Sequence, residues 1–472
     1  MKCFCLAVLV LVVSLAPLLA RDSDQWPAFR GPNSSGVSEE GRPPIKIGPK
    51  EKAVWKTDAP WSPSSVCVWS DRIFLTTFHQ DRLETRCYSG KDGQLLWAQP
   101  VSSAKLEEYH STEGSPAAST PVTDGRRVVV YFGSVGLLCY DFKGRELWRH
   151  PLPAAVTDGN FGSGTSPIIV EDRVILNRDQ ARGSSVRAIS LRDGHPLWET
   201  PRLDSHTSYG TPILWKQKSG TDLVVPGSMV LKAYDLKSGA ERWSVRGLPS
   251  YVCTTPAVGE QMLFFAGWSP GKSDAPWPRW EGVAEKQDKN RDGYISVEEF
   301  ADGPAWFKAQ DIDGNGKLEK ADWDAIGDLM KRGENVLLAI QSDGRGDITS
   351  THVKWKQDRG LPYVASPLYY RGRVYLVKDG GMMSSFEAST GRAIYQQERL
   401  NALGSYYASP VAADGRIYVC SLDGKVTVVK ADGEKPEILH QADFGERIAG
   451  TPAIVGNRLY LRTQTKLYAF EN

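Results

Sequence analysis

A Ser-Pro or Thr-Pro step followed by alternating apolar residues recurs along most of this chain of 472 residues. The prolines of these steps are Pro121, Pro167, Pro212, Pro256, Pro367, Pro410 and Pro452. An eighth copy begins at Ser65, with Val66 in place of the proline. Most of the spacings are 42 to 46 residues, and a fixed period of that length is the signature of a repeat architecture. The period therefore constrains the fold more than any single motif does.

Each repeat unit has the pattern of a small antiparallel sheet. In the unit that starts at Ser409, Asp414-Gly415 and Asp423-Gly424 separate runs of alternating apolar residues, and Asp-Gly between such runs is a strong hairpin signal. A fourth run usually follows and carries a tryptophan, at Trp97, Trp148, Trp198, Trp243 and Trp355. Four strands every 40 to 45 residues predict the blade of a β-propeller.

The two ends of the chain predict that the ring closes within one blade. The segment 457–472 stops after a third strand, whereas the residues around Trp55 have the pattern of a fourth strand with no three strands before it. We expect the strand at Trp55 to complete the last blade, so that no long sheet edge stays open. The predicted fold is an all-β, eight-bladed β-propeller of four-stranded blades. Seven blades is the alternative, because the first unit lacks its proline.

The one long gap in the period contains two copies of the EF-hand calcium loop. Oxygen-bearing side chains occupy positions 1, 3, 5, 9 and 12 of each loop, and Gly293 and Gly316 at position 6 permit the sharp turn. The candidate metal ligands are Asp288, Asn290, Asp292, the carbonyl of Tyr294, Ser296 and Glu299 in the first loop, and Asp311, Asp313, Asn315, the carbonyl of Lys317, Glu319 and Asp322 in the second. One or two Ca²⁺ ions are predicted. The alternative is a pair of polar surface turns without metal.

Asp322 is one methylene shorter than the Glu that usually closes such a loop. We therefore expect the second site to be weaker, or more accepting of magnesium. Helices are expected at 278–287, 298–310 and 319–333, with a small shared core. Its members are Trp280, Val283, Phe300, Phe307, Trp323, Ile326 and Leu329. The tryptophans at 268, 277 and 280 are expected to pack this insertion onto the propeller, an exposed binding patch being the alternative.

The N-terminus has the pattern of a secretory signal. Lys2 precedes an apolar run over 3–19, and Ala20 precedes a polar segment, which predicts cleavage after Ala20. An uncleaved membrane anchor is the alternative. Cleavage would leave 56 basic and 56 acidic residues, a balance that gives no basic surplus for nucleic acid. Five scattered cysteines would remain, for which buried thiols are expected.

These features divide the chain into five segments. They are a signal peptide at 1–20, an N-terminal arm at 21–50, a propeller segment at 51–270, the EF-hand insertion at 271–332 in the fifth blade, and a propeller segment at 333–472.

The units resemble the pyrroloquinoline-quinone-like, or BamB-like, β-propeller repeat family. The resemblance rests on DGQLLW at 92–97, DGHPLW at 193–198, the Ser/Thr-Pro strand starts and WPAFRGP at 26–32. It implies an eight-bladed secreted scaffold. The dehydrogenases of this family carry a pair of adjacent cysteines at their quinone (PQQ), and this sequence has no Cys-Cys. PQQ is therefore not expected as a cofactor.

Residues just before each Ser/Thr-Pro step are expected at one end of the central channel. The candidate ligand rim there is His110, His206, Tyr209, Tyr363 and Tyr407. A solvated rim is the plain alternative. With no recognisable catalytic motif, the sequence predicts a secreted or periplasmic calcium-binding protein, a non-catalytic monomer that binds a protein or envelope component. It predicts no nucleic-acid partner and no membrane span after cleavage. A PQQ-dependent periplasmic oxidoreductase is the alternative function.

Overall fold

The computed structural model describes residues 25–111, 113–271 and 277–472, and the predicted signal peptide lies outside these ranges. The strands form eight separate sheets, one for each predicted blade, and the four core strands of each sheet are antiparallel. Blade 1 consists of Cys67–Trp69, Arg72–His79, Arg82–Ser89 and Leu95–Val101, and blade 2 of Val122–Thr123, Arg127–Phe132, Gly136–Asp141 and Glu146–Pro151. Blade 3 consists of Ile168–Val170, Arg173–Arg178, Ser185–Ser190 and Pro196–Pro201, and blade 4 of Ile213–Gln217, Gly220–Gly227, Val230–Asp235 and Glu241–Arg246.

The remaining blades have the same order of strands. Blade 5 consists of Ala257–Gly259, Met262–Gly267, Val336–Gln341 and Val353–Gln357, and blade 6 of Leu368–Tyr370, Arg373–Lys378, Met382–Glu387 and Ala393–Arg399. Blade 7 consists of Val411–Ala413, Arg416–Cys420, Lys425–Lys430 and Glu437–Asp443, and blade 8 of Ala453–Val455, Arg458–Arg462, Lys466–Glu471 and Trp55–Asp58. Two short strands, Gln25–Trp26 and Gly346–Asp347, extend blades 1 and 4. The helices are α1 (Trp280–Gln287), α2 (Pro304–Gln310) and α3 (Lys320–Arg332).

The ring closes as the chain ends predict. The strand Trp55–Asp58 pairs antiparallel with Lys466–Glu471, and Trp55 lies opposite Ala469. The last blade thus combines one strand from near the start of the chain with three from its end. Eight blades are confirmed, and the seven-bladed alternative is wrong, because Ser65 and Val66 begin a full sheet without the proline.

The repeated Ser/Thr-Pro step forms a closed circle of hydrogen bonds. In each blade the backbone N–H of the Ser or Thr before the first strand donates to the side-chain hydroxyl of the matching residue in the next blade, over 2.9–3.2 Å. The circle runs through Ser65, Thr120, Ser166, Thr211, Thr255, Ser366, Ser409 and Thr451 and returns to Ser65. We call this set the hydroxyl ring. All eight residues are buried, with 1–2% of their surface exposed, so each hydroxyl satisfies the amide of a buried residue.

Most tryptophans of the fourth strands join neighbouring blades at their outer sides, whereas Trp243 donates to Asp222 of its own blade over 2.6 Å. The indole N–H of Trp97 donates to the carbonyl of Phe142 in blade 2 over 3.0 Å, and its ring covers Gly144 of the Asp-Phe-Lys-Gly turn at 141–144. Gly144 has φ +84°, a conformation that glycine adopts without strain, and a Cβ there would lie 2.7 Å from the indole. The DG…W pattern therefore encodes contacts between blades as well as turns.

The N-terminal arm crosses the channel of the propeller. Gln25–Trp26 pairs with the first strand of blade 1, and the side chain of Asn33 exchanges two hydrogen bonds of 2.8 Å with the backbone of Leu214 in blade 4. Arg30 is fully buried and donates to the carbonyl of Pro367 in blade 6 over 2.8 Å. Ser38 donates to Ala412 in blade 7 over 2.9 Å. The arm thus spans the interior of the ring.

The helical insertion replaces the hairpin between the second and third strands of blade 5, as predicted. The flanking strands stay paired to their ends, with Gly267 opposite Val336. The helix expected at 298–310 forms only from Pro304, because Gly303 has φ +85° and proline, which has no N–H, is suited to the first turn of a helix. Among the described residues, no helix is both long and apolar enough to cross a membrane.

The five cysteines of the described chain are free thiols. Four of them, Cys67, Cys87, Cys139 and Cys420, are buried in the blades. Burial raises the pKa of Cys139 and Cys420 to about 12. These thiols are therefore packing groups, in agreement with the sequence-based expectation.

One acidic side chain is buried in the wall between blades 2 and 3. Glu107 is 3% exposed, and its Oε2 atom accepts from the backbone N–H and hydroxyl of Ser163 over 3.0 and 2.7 Å. Oε1 is buried with no hydrogen-bond partner among the described residues. Burial raises the pKa of Glu107 from 4.5 to about 7, because it penalises the charged form more than these two hydrogen bonds stabilise it.

We expect Thr255→Val to lower the free energy of unfolding by about 1–3 kcal/mol, since it leaves the buried N–H of Thr211 without an acceptor while preserving side-chain volume. Guanidinium unfolding followed by tryptophan fluorescence measures this. Thr221→Val, at a half-buried strand position of blade 4, is the matched control and should be nearly neutral. Equal effects of the two substitutions would contradict a special role for the hydroxyl ring.

We expect the stability of the wild type to decrease between pH 5 and pH 8, and Glu107→Gln to flatten that decrease. The folded protein holds the Glu107 proton up to about pH 7 whereas the unfolded chain loses it near pH 4.5, so rising pH favours unfolding. At pH 8 the variant should be more stable by roughly 1–3 kcal/mol. Denaturant titrations across this range measure the difference, with the exposed Glu40→Gln as control; an unchanged slope in Glu107→Gln would refute the assignment.

Candidate calcium loops and channel cavity

The first EF-hand loop coils around its acidic side chains. Asp288 at position 1 accepts from the backbone N–H of Gly293 over 3.1 Å, which the positive φ of that glycine permits. Glu299 at position 12 accepts from the N–H and hydroxyl of Ser296 over 3.0 and 2.9 Å. Position 5, Asp292, accepts from the amide of Asn290 at position 3 over 2.9 Å. Positions 1, 3, 5, 9 and 12 are thus connected through one hydrogen-bond network.

The second loop repeats this geometry. Asp311 accepts from the N–H of Gly316 over 2.9 Å, and Asp313 accepts from the side-chain amide of Asn315 over 2.9 Å. Carboxylate oxygens of Asp311, Asp313 and Asp322 lie within 4.8 Å of one another. Despite its shorter side chain, Asp322 therefore reaches the cluster at position 12.

Asp322 also stabilises the start of α3. Its carboxylate accepts from the N–H of Glu319 over 3.1 Å, and Glu319 accepts in return from the backbone of Asp322 in a capping box. The other oxygen of Asp322 accepts from the N–H of Ile312 over 3.1 Å. One carboxylate thus joins the end of the loop to its beginning, which fixes the angle at which α3 leaves.

The two loops are paired with each other. Ile295 and Leu318, at position 8 of their loops, exchange backbone hydrogen bonds of 3.0 Å in both directions, and both side chains are fully buried. Behind them lies an apolar core that contains five of the seven predicted members, Trp280, Val283, Phe300, Phe307 and Trp323. The other two, Ile326 and Leu329, are buried outside this core. At position 7, the ammonium group of Lys317 lies 4.2 Å from the ring centre of Tyr294. The pair is therefore one structural unit.

The donors of both loops suit a hard cation. Carboxylate, amide, hydroxyl and carbonyl oxygens are the ligands that Ca²⁺ takes, six to eight at a time. The sequence-predicted ligands supply three carboxylates in the first loop and four in the second. Clustered carboxylates repel one another unless a cation neutralises them, so these residues fit a bound calcium ion.

The EF-hand insertion packs over the end of the propeller channel. Trp306 of α2 contacts Phe161 edge-on, with ring centres 5.7 Å apart. The hydroxyl of Ser250 donates to the carbonyl of Leu329 in α3 over 2.9 Å, and Lys308 pairs with Glu108. These contacts attach the insertion to the loops that precede the hydroxyl ring.

A cavity of about 430 Å³ lies between the insertion and the propeller. One side is formed by members of the hydroxyl ring and by Phe29 of the N-terminal arm, the other by Trp277, Trp306 and Met330 of the insertion. The side wall comes from the channel loops, with the aromatic residues Phe161, Tyr209, Tyr251, Tyr363 and Tyr407. The arm, the loops and the insertion thus enclose one space.

Three of the five predicted rim residues line this cavity, namely Tyr209, Tyr363 and Tyr407. The structure does not bring the two histidines to it. His110 stacks on Phe161, with ring centres 5.4 Å apart, and His206 lines a second cavity beneath α3. Tyr251, Asp158 and Ile326 line both cavities, and so they form the partition between them.

Several cavity residues could not be identified from the repeat pattern, among them Phe29, Phe161, Trp306 and Met330. The expected packing of the insertion tryptophans onto the propeller did point toward this surface. Trp277 lines the cavity and packs on Trp323, with ring centres 4.7 Å apart, and Trp268 contacts Tyr363 edge-on at 5.7 Å.

The cavity is aromatic with an acidic edge. The hydroxyl of Tyr407 donates to the carboxylate of Glu113, and Asp158 accepts from the N–H of Thr207 over 3.3 Å. Burial raises the pKa of Tyr209 and Tyr251 above the usual value near 10, and the Asp158 carboxylate contributes to both shifts. These phenols therefore stay protonated at neutral pH.

Among the described residues that line the cavity, none is Lys, Arg or His. The one thiol, that of Cys253, has a pKa raised to about 12 by burial, so it is not a nucleophile at neutral pH. The described lining therefore lacks a base next to a nucleophile, and it lacks a cation that could pair with an anionic ligand.

No curated protein matches the chain by sequence. A model of the EF hand matches residues 286–302, which contain the first loop. Many solved structures share the fold, among them the following three. BamB from Moraxella catarrhalis is 13% identical, with 89% of this chain and 97% of that one covered at a TM-score of 0.55. A europium-containing methanol dehydrogenase is 10% identical, with coverage of 95% and 98% at 0.57. The computationally designed protein Ika8 is 10% identical, with coverage of 89% and 100% at 0.54.

These likenesses include BamB, a methanol dehydrogenase and a designed protein, so they establish the architecture alone. The sequence match is more specific. The model of the family described as outer membrane protein assembly factor BamB matches residues 82–246 and 336–472, the two parts of the propeller on either side of the insertion. This chain therefore belongs to the BamB family of β-propeller repeat proteins.

Proposed function

We propose that this protein is a secreted, calcium-binding β-propeller that acts as a non-catalytic binding scaffold. The observation that carries the proposal is the pair of EF-hand loops, in which equivalent carboxylates accept equivalent backbone hydrogen bonds and position 8 of one loop pairs with position 8 of the other. The EF-hand match to residues 286–302 supports the first site independently.

Calcium would supply the positive charge that the loops lack. The first ion would be held by the side-chain oxygens of Asp288, Asn290, Asp292, Ser296 and Glu299 and by the backbone carbonyl of Tyr294. The second would be held by the side-chain oxygens of Asp311, Asp313, Asn315, Glu319 and Asp322 and by the backbone carbonyl of Lys317. Asp322 would in addition keep α3 capped, so the second site would couple metal binding to the start of that helix.

The absence of catalysis is supported by the chemistry of the channel cavity. Its described lining offers phenols that stay protonated, a thiol of raised pKa and two carboxylates. PQQ carries three carboxylates, and the described cavity residues include no Lys or Arg to pair with them. These residues do not fit the quinone, so we assign no redox step to the cavity.

Export is supported by the sequence of residues 1–20, with Lys2, the apolar run and Ala20. A calcium-rich exterior would suit EF-hand sites of modest affinity. We propose that the partner is a protein or an envelope component and that the scaffold acts as a monomer.

We expect the wild-type protein to bind two Ca²⁺ ions, with dissociation constants of about 0.1–1 mM, as extracellular EF-hand modules do. Asp288→Ala and Asp311→Ala should each remove one site, and the double variant should remove both. Isothermal titration calorimetry after chelation and desalting measures the stoichiometry. Asp302→Ala, an exposed acid of the same insertion outside both loops, is the matched control. An unchanged isotherm in the double variant would exclude the loops as the calcium sites.

We expect purified protein incubated with PQQ and calcium to lose the quinone on desalting and to show no dye-linked oxidation of alcohols. The physical reason is the lack of cationic partners in the described lining. Absorbance of the desalted protein and a dye-reduction assay measure both properties. A quinone retained in stoichiometric amount would overturn the non-catalytic assignment.

A further inference from the structure

The cavity at the end of the channel has the surface chemistry of a site for an organic cation. Its volume of about 430 Å³ lies within the range of small-molecule sites. Tyr209, Tyr251, Tyr363, Tyr407 and Trp306 supply aromatic rings from the propeller loops and from the insertion. The faces of such rings carry partial negative charge, which attracts ammonium groups.

Two carboxylates add formal charge at the edge of this aromatic lining. Glu113 is hydrogen-bonded to the hydroxyl of Tyr407, and Asp158 is close enough to Tyr209 and Tyr251 to influence the titration of both. The described lining of this cavity contains no basic side chain, and the basic groups near Asp158, such as Arg178 and Lys308, line the second cavity on the other side of the partition. An anionic ligand would be repelled there, whereas a neutral apolar ligand would gain nothing from the two charges.

We propose that this cavity binds an organic cation with an apolar body, such as a quaternary ammonium compound, and that calcium in the second EF-hand loop maintains the site. The metal-dependent part rests on the proposed function. The cationic preference is a property of the cavity and stands without it.

The connection between the loop and the cavity is short. The second loop joins α2, which ends at Gln310, to α3, which begins at Lys320. Trp306 of α2 and Met330 of α3 both line the cavity, so the ordering of that loop sets the relative position of two of its walls. Gln310 lines the cavity as well, and its Oε1 atom is buried with no hydrogen-bond partner in the described chain. A bound organic cation would face this oxygen with an N–H group or with a C–H group that carries partial positive charge.

The same loop is attached to the propeller. The guanidinium of Arg182 in blade 3 donates to the carbonyl of Asp313 over 2.9 Å and lies beside Gly314. Asp313 is also one of the three clustered carboxylates. A calcium ion in this loop would therefore hold the residue whose backbone fastens the insertion to blade 3.

Equilibrium dialysis with benzyltrimethylammonium tests the proposal. The matched probes are neopentylbenzene, a neutral molecule of nearly the same shape, and phenylacetate, an anion. With calcium present, we expect the cation to bind at least tenfold more tightly than the neutral probe, and phenylacetate not to bind. Asp158→Asn, which retains an acceptor for Thr207, and Trp306→Leu should each weaken binding of the cation about five- to tenfold. Asp81→Asn, at an exposed hairpin turn of blade 1 that does not line the cavity, should leave binding of the cation unchanged.

The calcium dependence is measured separately, with Asp311→Ala and with chelated wild type, each expected to bind the cation more weakly. If calcium fails to bind in calorimetry while the cation still binds preferentially, the proposed function is wrong and the cation site stands. If calcium binds but the neutral probe binds as tightly as the cation, or Asp158→Asn has no effect, the cation site is refuted. Equal binding of the cation by wild type and Asp311→Ala refutes the coupling to the second loop.

Discussion

The hydroxyl ring is the interaction on which the rest of this structure depends. Each of its eight members donates through its backbone to one neighbouring blade and accepts through its side chain from the other. Proline after the hydroxyl residue favours extended backbone at that residue, which directs the chain into the first strand. A buried donor without a partner is costly, so a blade that is tilted or displaced loses hydrogen bonds on both sides. The ring therefore fixes the position of all eight blades at once.

Because the strands start from this ring, the loops just before it converge on one end of the channel. They supply the tyrosines and acids of the cavity, while the N-terminal arm supplies Phe29 from within the channel and the insertion supplies Trp306 from outside. Three segments distant in sequence therefore meet at a single surface. The propeller blades hold this surface in place on one side, and the small helical insertion holds it on the other.

The blade number, the closing strand at Trp55 and the EF-hand loops could be predicted from the sequence, because each is encoded by a local pattern of fixed spacing. The cavity could be predicted only in part. Tyr209, Tyr363 and Tyr407 follow from their position before the Ser/Thr-Pro steps, whereas the contact of Trp306 with Phe161 joins residues that no period relates.

The differences between the sequence-based predictions and the structure also have physical reasons. His206 lies in the second cavity because Tyr251, Asp158 and Ile326 form a partition at the end of the channel, a division that depends on where α3 packs. The helix expected from residue 298 begins instead at Pro304, since the backbone of Gly303 is not helical. The occupancy of the calcium loops and the segment before residue 25 stay predictions.

The closing strand has a consequence for how the protein acquires its structure. Trp55 and Ala469 pair although they come from opposite ends of the chain, and contacts of such high sequence separation form slowly, because a long loop must first be closed. Residues 25–38 of the arm lie inside the ring that this pairing completes, whereas Ile47 lies against His440 in the outer strand of blade 7. During synthesis the early blades can assemble in order, but the strand Trp55–Asp58 has no partner strand until residues 466–471 have been made. The pairing of residues 466–471 with Trp55–Asp58 thus decides when the ring becomes closed.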